Sequence, residues 1–227
     1  MSGSDPKALE ELRGRSRKKA EQILGGARAA FLELGYGSAS VDVISKRAGV
    51  SKATLYAYFK DKEALFSAVV GLEIRTQSER LTEVVASGED PEMDLFRLVR
   101  RFLEYLVSPV PRELFRIVIA ESARFPELGR AFYASGPQIG VDLLIDTLSR
   151  SSLSAGRDID DPARAARVLV DLCKGDFFQR VLLHVEPEPS SEALDAAARE
   201  VCEVFSTMYP PSKEKPARQA APADGDA

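Results

Sequence analysis

The residues best suited to chemistry lie in one short segment, residues 51–62. This segment carries lysine ammonium groups, serine, threonine and tyrosine hydroxyls, and alanines small enough to let a backbone approach a surface closely. Such groups hydrogen-bond to base edges and phosphate oxygens, and they contain no acid–base or nucleophilic set. The segment therefore favours recognition of a polyanion over the making or breaking of bonds.

A short helix within this segment predicts which side chains face outward. Leu55 and Phe59 share one helical face and are expected to point inward. The outward side chains are then Lys52, Ala53, Thr54, Tyr56 and Tyr58. Lys52 and Thr54 can read base edges in a major groove, and Ala53 can touch a thymine methyl group. The two tyrosine hydroxyls suit phosphate oxygens better.

Two short helices must position these side chains. Ser40 is a good N-cap for a helix that Gly49 ends. Ser51 then caps the next helix, and Val50 before it can pack on Leu55 to fix the angle between the two helices. This arrangement is typical of a helix-turn-helix that binds DNA.

A third helix follows the pair, and it begins with a phosphate-binding signal. Asp61 is expected to cap it, and Lys62 lies in its first turn. A helix N-terminus combined with a lysine favours a backbone phosphate of DNA.

This part of the chain resembles the TetR family of transcriptional regulators. The resemblance rests on the Ala-Gly-Val-Ser turn, the Thr-Leu-Tyr and Tyr-Phe sequences and the Lys-Glu-x-Leu that follows, within roughly residues 16–66. The resemblance implies that residues 51–59 form the recognition helix, with further contacts from Ser40 and Lys62. Ala53 stands where the family often has glycine, so the backbone approach to DNA differs there. The predicted DNA-binding residues are Ser40, Ser51, Lys52, Ala53, Thr54, Tyr56, Tyr58 and Lys62.

The distribution of charge agrees with a DNA partner, although the whole chain carries −4. Residues 1–62 hold 12 lysines and arginines against 7 acidic residues, a net +5 that leaves −9 for the remainder. Because attraction to DNA is local, this asymmetry is more informative than the total. We expect residues 1–15 to form a basic flexible arm that adds nonspecific attraction to phosphates. The alternative is a solvated tail that only keeps the protein soluble.

A longer helix is predicted ahead of the pair, from about Ser16 to Leu34, with an apolar stripe that packs behind it. Gly25 and Gly26 lie inside this helix, where each costs about 1 kcal/mol relative to alanine. Close helix packing is the compensation that we expect at both positions.

The remaining periodicity predicts an all-α fold of two domains. Residues 16–62 would form the three-helix DNA-binding domain, residues 63–210 a helical effector-binding and dimerisation domain, and residues 211–227 a disordered tail. The expected helices of the second domain cover residues 61–86, 91–107, 111–124, 127–135, 137–153, 162–184 and 190–209. The sequence shows no apolar span long enough to cross a bilayer and no signal peptide, which predicts a cytoplasmic protein.

Catalytic and metal-binding chemistry is poorly represented in the chain. His184 is the single histidine, and the two cysteines are separated by 28 residues. These residues give no disulfide framework, zinc motif or nucleophile–histidine set, and no nucleotide-binding glycine pattern is present. We therefore expect no enzymatic activity, no cofactor and no bound metal.

The last two predicted helices are more apolar than surface helices usually are. Two faces of each helix must therefore be buried. One side is expected to join the core through Leu169, Leu172 and Phe178. The other would pack on a second copy of the chain, as the resemblance also implies, through Phe177, Val181, Leu194, Val201 and Phe205. The alternative is that both helices belong to the core of a monomer.

Aromatic residues in the middle of the chain predict a pocket. The resemblance to TetR regulators implies that this pocket holds a small, hydrophobic effector. Its expected lining is Phe96, Phe102, Tyr105, Phe115, Arg116, Phe132, Tyr133 and Phe178. Residues 121–133 also resemble the C-terminal domain of the AefR-like branch of TetR regulators. The alternative is ordinary core, with surface ion pairs explaining charges such as Glu121 and Arg124.

These observations lead to one main hypothesis: a dimeric repressor that binds a palindromic operator and is released by its effector. Effector binding would shift the helix that begins at Asp61 and joins both domains. A DNA-binding dimer without an effector is the second hypothesis. A helical carrier or enzyme that keeps a vestigial helix-turn-helix is the third.

Overall fold

Helices form the regular structure of the part of the chain that the structure describes. This computed structural model describes residues 6–84, 90–150, 157 and 159–211. The helices are α1 (Pro6–Ser38), α2 (Val41–Ala48), α3 (Lys52–Tyr58), α4 (Lys62–Val84), α5 (Pro91–Val107), α6 (Pro109–Glu121), α7 (Pro126–Ser135), α8 (Pro137–Arg150), α9 (Pro162–Cys173), α10 (Asp176–Leu182) and α11 (Ser191–Met208). The described residues contain one isolated β-bridge and no strand, which confirms the predicted all-α fold. None of the described helices is both long and apolar enough to cross a membrane.

Capping side chains and prolines set where many of these helices begin. The Ser40 and Ser51 hydroxyls accept hydrogen bonds from the backbone N–H groups of Val43 and Thr54, at 3.3 and 3.0 Å. Prolines occupy the first turns of α6, α7 and α9, where a missing N–H needs no partner. The starts predicted from these residues agree with the structure to within a few residues.

The start of α1 is a correction to the prediction. This helix begins at Pro6 rather than near Ser16, so the prediction of a flexible arm is wrong for residues 6–15. The proline at the first turn and the good helix formers from Lys7 to Arg13 explain the extension. Residues 1–5 lie outside the described part of the chain.

A second correction concerns the helix predicted over residues 162–184, which is two helices, α9 and α10. Gly175 separates them with ψ −154°, far from helical values. A Cβ atom at Gly175 would lie 3.1 Å from the carbonyl oxygen of Leu172. Glycine thus allows a tight break that the apolar periodicity alone does not reveal. The predicted tail lies outside the described part from residue 212 onward.

The chain divides into two compact units. The first comprises residues 1–78 and 106–140, and the second comprises residues 79–105 and 141–227. Helices α6 and α7 therefore pack with α1 to α4 in the first unit, although they come later in the sequence. The functional boundary expected after residue 62 stays a prediction.

The described residues of the first unit include a large apolar cluster. It joins side chains of α1 to α4 with side chains of α6 and α7. Its buried members are Ile23, Leu24, Ala27, Ala30, Phe31, Tyr36, Ala39, Ile44, Leu55, Leu65, Phe66, Val69, Val70, Leu114, Val118, Leu128 and Phe132. Burial of these side chains stabilises the helices that carry the predicted DNA-binding residues.

The second unit contains a buried arginine that ties its helices together. The Arg157 guanidinium donates to Glu92 Oε1 at 2.5 Å, to the Tyr209 carbonyl at 2.8 Å and to Ser206 Oγ at 3.1 Å. Its side chain is 0% exposed. Because a buried charge needs such partners, this network fixes the start of α5 relative to the end of α11.

Candidate nucleic-acid interface

The turn between α2 and α3 depends on a left-handed glycine. Gly49 has φ +63°, and its N–H donates to the Lys46 carbonyl at 3.2 Å. The Val50 N–H then donates to the Ser45 carbonyl at 3.0 Å. These two bonds satisfy carbonyls at the end of α2 and direct the chain into the next helix.

Helix α3 is fixed by apolar packing on its inner face and by a cap at its N-terminus. Leu55 is 0% exposed and belongs to the apolar cluster of the first unit, against which Val50 and Phe59 pack. The Ser51 hydroxyl caps the helix and lies 2.8 Å from the Thr54 hydroxyl. The short helix therefore has a fixed inner face, which leaves its outer face available to a partner.

Helix α2 is fastened to α1 by close packing and by polar contacts. A Cβ atom at Gly26 would lie 2.6 to 2.7 Å from atoms of Ala48, so the two helices touch there. Arg47 donates to the Ala29 carbonyl at 3.2 Å and to Glu33 at 2.7 Å. The hydrogen bond from Arg47, followed by its charge, lowers the pKa of Glu33. α1 thus supports the angle at which α2 and α3 are presented.

The predicted DNA-contacting side chains lie on the surface of the first unit. Six are exposed and two, Thr54 and Lys62, are half-buried. The exposed ones are Ser40, Ser51, Lys52, Ala53, Tyr56 and Tyr58. Tyr56 and Tyr58, which are 52% and 37% exposed, present large side chains on a helix whose opposite face is buried. Their contacts with DNA remain predictions.

Lys52 has a partner that the sequence analysis missed. Its ammonium group forms an ion pair with Asp42 of α2. Both side chains are more than half exposed, so the pair is weak and DNA can compete for the lysine. The two residues are ten positions apart, and their proximity depends on the angle of the turn, which spacing alone does not give.

Lys62 points toward the end of α1. Its ammonium group donates to the Tyr36 carbonyl at 2.8 Å and lies 4.2 Å from the centre of the Tyr36 ring. Burial lowers the pKa of Lys62, and the charges of Glu121 and Glu127 oppose that effect. One of its three protons is therefore engaged within the protein, while its phosphate contact stays a prediction.

The residues predicted to line an effector pocket are shared by the two compact units. Phe115 and Phe132 meet edge to face at 4.9 Å in the first unit, and Phe102 and Tyr105 lie 6.5 Å apart in the second. Four of the eight, Phe115, Arg116, Phe132 and Tyr133, belong to the first unit, and the other four, Phe96, Phe102, Tyr105 and Phe178, to the second. Tyr133 is 61% exposed, unlike the lining of an enclosed pocket.

A cleft occurs within the first unit, and its lining contains none of the eight residues predicted for the effector pocket. It has a volume of about 480 Å³. Its lining residues are Gly37, Ser38, Ala120, Glu121, Arg124 and Phe125.

Four of the five residues predicted at a dimer interface lie in the chain's own core. Val181 and Phe205 are 0% exposed, and Leu194 and Val201 are each 8% exposed. The chain itself covers most of the surface of these four side chains, and Phe177 is half-buried. Their contact with a second copy stays a prediction. Helical periodicity identifies the apolar face of each helix. It does not tell whether the same chain or a second copy covers that face. The exposed apolar side chains nearby are Leu183, Val185, Val204 and Met208.

The cysteines and the histidine form no reactive group among the described residues. Both cysteines are free thiols. Burial raises the pKa of Cys202 to about 11 and raises that of Cys173 further. His184 is exposed just beyond α10 and has φ +62°.

Together, the glycine turn between two short helices and the exposed donors of the second define a helix-turn-helix DNA-binding protein. Comparison with known proteins gives its family. Residues 23–69 match the bacterial regulatory proteins of the tetR family, and residues 93–211 match the C-terminal domain of AefR-like transcriptional repressors. The chain belongs to the TetR family, and it is a DNA-binding transcriptional regulator.

Relatives and solved structures cover most of the chain. The repressor AcnR of Corynebacterium diphtheriae is 38% identical over 186 residues, which is 81% of this chain and 91% of AcnR. The crystal structure of a TetR-family regulator from Mesorhizobium loti has a TM-score of 0.72 and 29% identity, with 86% and 98% of the two chains covered. The flavonoid-responsive regulator FrrA has a TM-score of 0.66 and 31% identity, with 85% and 97% covered.

Proposed function

We propose that this protein is a repressor that binds a palindromic operator as a homodimer, with α3 of each protomer in a major groove. The observation that carries the proposal is the exposed outer face of α3 above the fully buried Leu55. A recognition helix needs this combination of a rigid support and free side chains. AcnR, which is similar over most of its length, is described as a repressor.

The residues assigned to DNA divide by the atoms they would contact. Lys52, Ala53 and Thr54 lie at the start of α3 and would contact base edges. Ser40 and the two tyrosines would hold phosphate oxygens, which positions the protein without reading sequence. Release of Lys52 from Asp42 accompanies binding, because the lysine cannot serve both partners fully.

A binding titration on fragments of the genome tests this proposal. We expect a sequence-selective complex whose affinity falls as the salt concentration rises. Replacing Lys52 with alanine should weaken operator binding about tenfold and relax selectivity at one base pair. Arg130→Ala is the matched control, because it removes a cation from an exposed position on a different helix, α7. Equal losses in both variants, or no selective complex, would contradict the assignment.

Dimerisation would use the apolar side chains that the second unit leaves exposed. Val204 and Met208 are 43% and 49% exposed on α11, and Leu183 and Val185 are exposed just after α10. A two-fold contact through α11 would cover these side chains with the same surface of a second copy. A dimer also presents two recognition helices, as a palindromic operator requires.

A small, hydrophobic effector would release the protein from DNA. FrrA, a structural neighbour at 31% identity, is described as flavonoid-responsive, which makes planar aromatic compounds a reasonable first class to test. We expect a flavonoid to raise the melting temperature and to weaken operator binding, while the corresponding polar glycoside does neither. If no compound stabilises the protein, the dimer without an effector becomes the better description.

The proposed role is regulatory and not enzymatic. A protein that binds bacterial operators acts where the chromosome lies, so we place it in the cytoplasm.

A further inference from the structure

The last residue of α6 contacts the turn that ends α1. The Gly37 N–H donates to Glu121 Oε2 at 2.6 Å. A Cβ atom at Gly37 would lie 2.8 Å from the same oxygen, and one at Gly35 would lie 2.8 Å from the other. Gly35 also has φ +74°, which glycine adopts readily. The two glycines therefore leave the space that the carboxylate occupies.

Aromatic rings surround this contact. Phe125, one turn beyond Glu121, meets the Tyr36 ring edge to face at 5.4 Å. Tyr36 also contacts Phe66 of α4 at 5.6 Å. Lys62, the first residue of α4, donates to the Tyr36 carbonyl. The end of α1, the start of α4 and the end of α6 thus meet at one place within the first unit.

The hydrogen bond between Glu121 and Gly37 lies close to the start of α2. Gly37 precedes the N-cap of α2, Ser40, by three residues, so holding its N–H also fixes the entry to α2. We infer that Glu121 is a positioning residue for DNA binding: through Gly37 it holds α2, and with it α3, at the angle that an operator requires. The inference rests on the proposed function and extends it to residues that do not touch DNA.

Charge provides a way to separate positioning from other roles. A carboxylate repels DNA phosphates, so removing one should by electrostatics alone strengthen binding to any DNA. Loss of a positioning contact has the opposite effect, and only for the operator, since it leaves the phosphate contacts in place. The sign and the selectivity of the change thus identify the mechanism.

The experiment compares Glu121→Ala with two matched controls in the full chain. Glu127→Gln removes a neighbouring negative charge that also acts on Lys62. Val118→Ala truncates a side chain that is 9% exposed on α6 and so controls for lost stability. The readouts are fluorescence anisotropy with operator and unrelated DNA, and hydrogen exchange of the Gly37 amide.

We expect Glu121→Ala to weaken operator binding about tenfold with an unchanged salt slope, and to leave binding to unrelated DNA unchanged or stronger. The Gly37 amide should exchange about tenfold faster. Gly37→Ala should reproduce the operator defect, because its Cβ would displace the carboxylate. Val118→Ala should keep wild-type operator affinity, and Glu127→Gln should keep it or bind all DNA slightly more tightly.

Three results would overturn the inference. Faster exchange of Gly37 with unchanged operator affinity would make the contact structural only. An equal operator defect in Val118→Ala would assign the effect to stability. Tighter operator binding by Glu121→Ala and Glu127→Gln alike would assign it to charge. A wild-type protein that binds no DNA selectively would instead reject the proposed function itself, so the two failures are distinguishable.

Discussion

Two adjacent glycines in α1 have different surroundings. A Cβ atom at Gly26 would lie within 2.7 Å of Ala48 atoms, whereas one at Gly25 would meet nothing within 4 Å. Close packing therefore explains why residue 26 is a glycine, but it does not explain the glycine at position 25. Only Gly26 is required where α2 crosses α1.

We expect opposite effects when these glycines are replaced by alanine. Gly26→Ala forces α2 away from α1 and should destabilise the protein by roughly 1 to 3 kcal/mol. Gly25→Ala should stabilise it by up to about 1 kcal/mol, because alanine favours the helix. Urea denaturation measures the change in the free energy of unfolding for both variants. A destabilisation shared equally by the two variants would contradict the packing at Ala48.

Single residues also mark the limit of what the sequence predicts. Helical spacing correctly placed Lys52, Tyr56 and Tyr58 on an exposed surface, because their neighbour Leu55 sets the inner face. The partner of Lys52, Asp42, depends on the angle between two helices. The contact of Glu121 with Gly37 joins residues 84 positions apart, and no local pattern encodes such a distance.

At the scale of helices, the start of α3 depends on a single hydroxyl. Ser51 accepts a hydrogen bond from the Thr54 N–H at 3.0 Å, and the helix it caps has only seven residues. So short a helix is not stable by itself and depends on its cap and on packing. Its first turn also carries the residues assigned to base contacts.

Replacing Ser51 with alanine should therefore weaken DNA binding more than it destabilises the fold. We expect a loss of about 1 kcal/mol in the free energy of unfolding. The loss in operator affinity should be larger, because the first turn of α3 frays and the predicted contact of Ser51 with DNA is removed. Ser190→Ala, at the cap of α11, is the matched control for the loss of a capping hydroxyl. Comparable operator defects in the two variants would show that capping of α3 has no special role.

Helix boundaries were predictable where local chemistry sets them and were wrong where it does not. Capping serines and prolines indicated the starts of α2, α3 and α7. The break between α9 and α10 was missed, because the apolar pattern continues across Gly175. The early start of α1 differs from the expected arm, because the residues from Lys7 to Arg13 are good helix formers.

At the scale of the whole molecule, burial separates core from partner surface. Amphipathic spacing grouped Val201 and Phe205 with the dimer interface, yet the chain covers both itself. The pattern of one helix cannot distinguish a contact within the chain from one between copies. Exposed Val204, on the same helix, is the better candidate.

Val204→Glu should shift the protein from dimer to monomer. Burying a carboxylate in an apolar contact is expected to cost roughly 2 kcal/mol or more per dimer. Light scattering after size-exclusion chromatography measures the change, and operator affinity should fall with it. Ile119→Glu, at a side chain 62% exposed on α6, is the control. A wild-type monomer, or an unchanged dimer in Val204→Glu, would place the interface elsewhere.

The Arg157 network also defines where the chain can be shortened. A protein ending at residue 211 keeps the three acceptors that this guanidinium has among the described residues, in Glu92, Ser206 and Tyr209. Ending it at Met208 would delete the Tyr209 carbonyl and leave a buried cation without one of its acceptors. For fusion or truncation of this regulator, the boundary should therefore lie after residue 209, and residue 211 satisfies that condition.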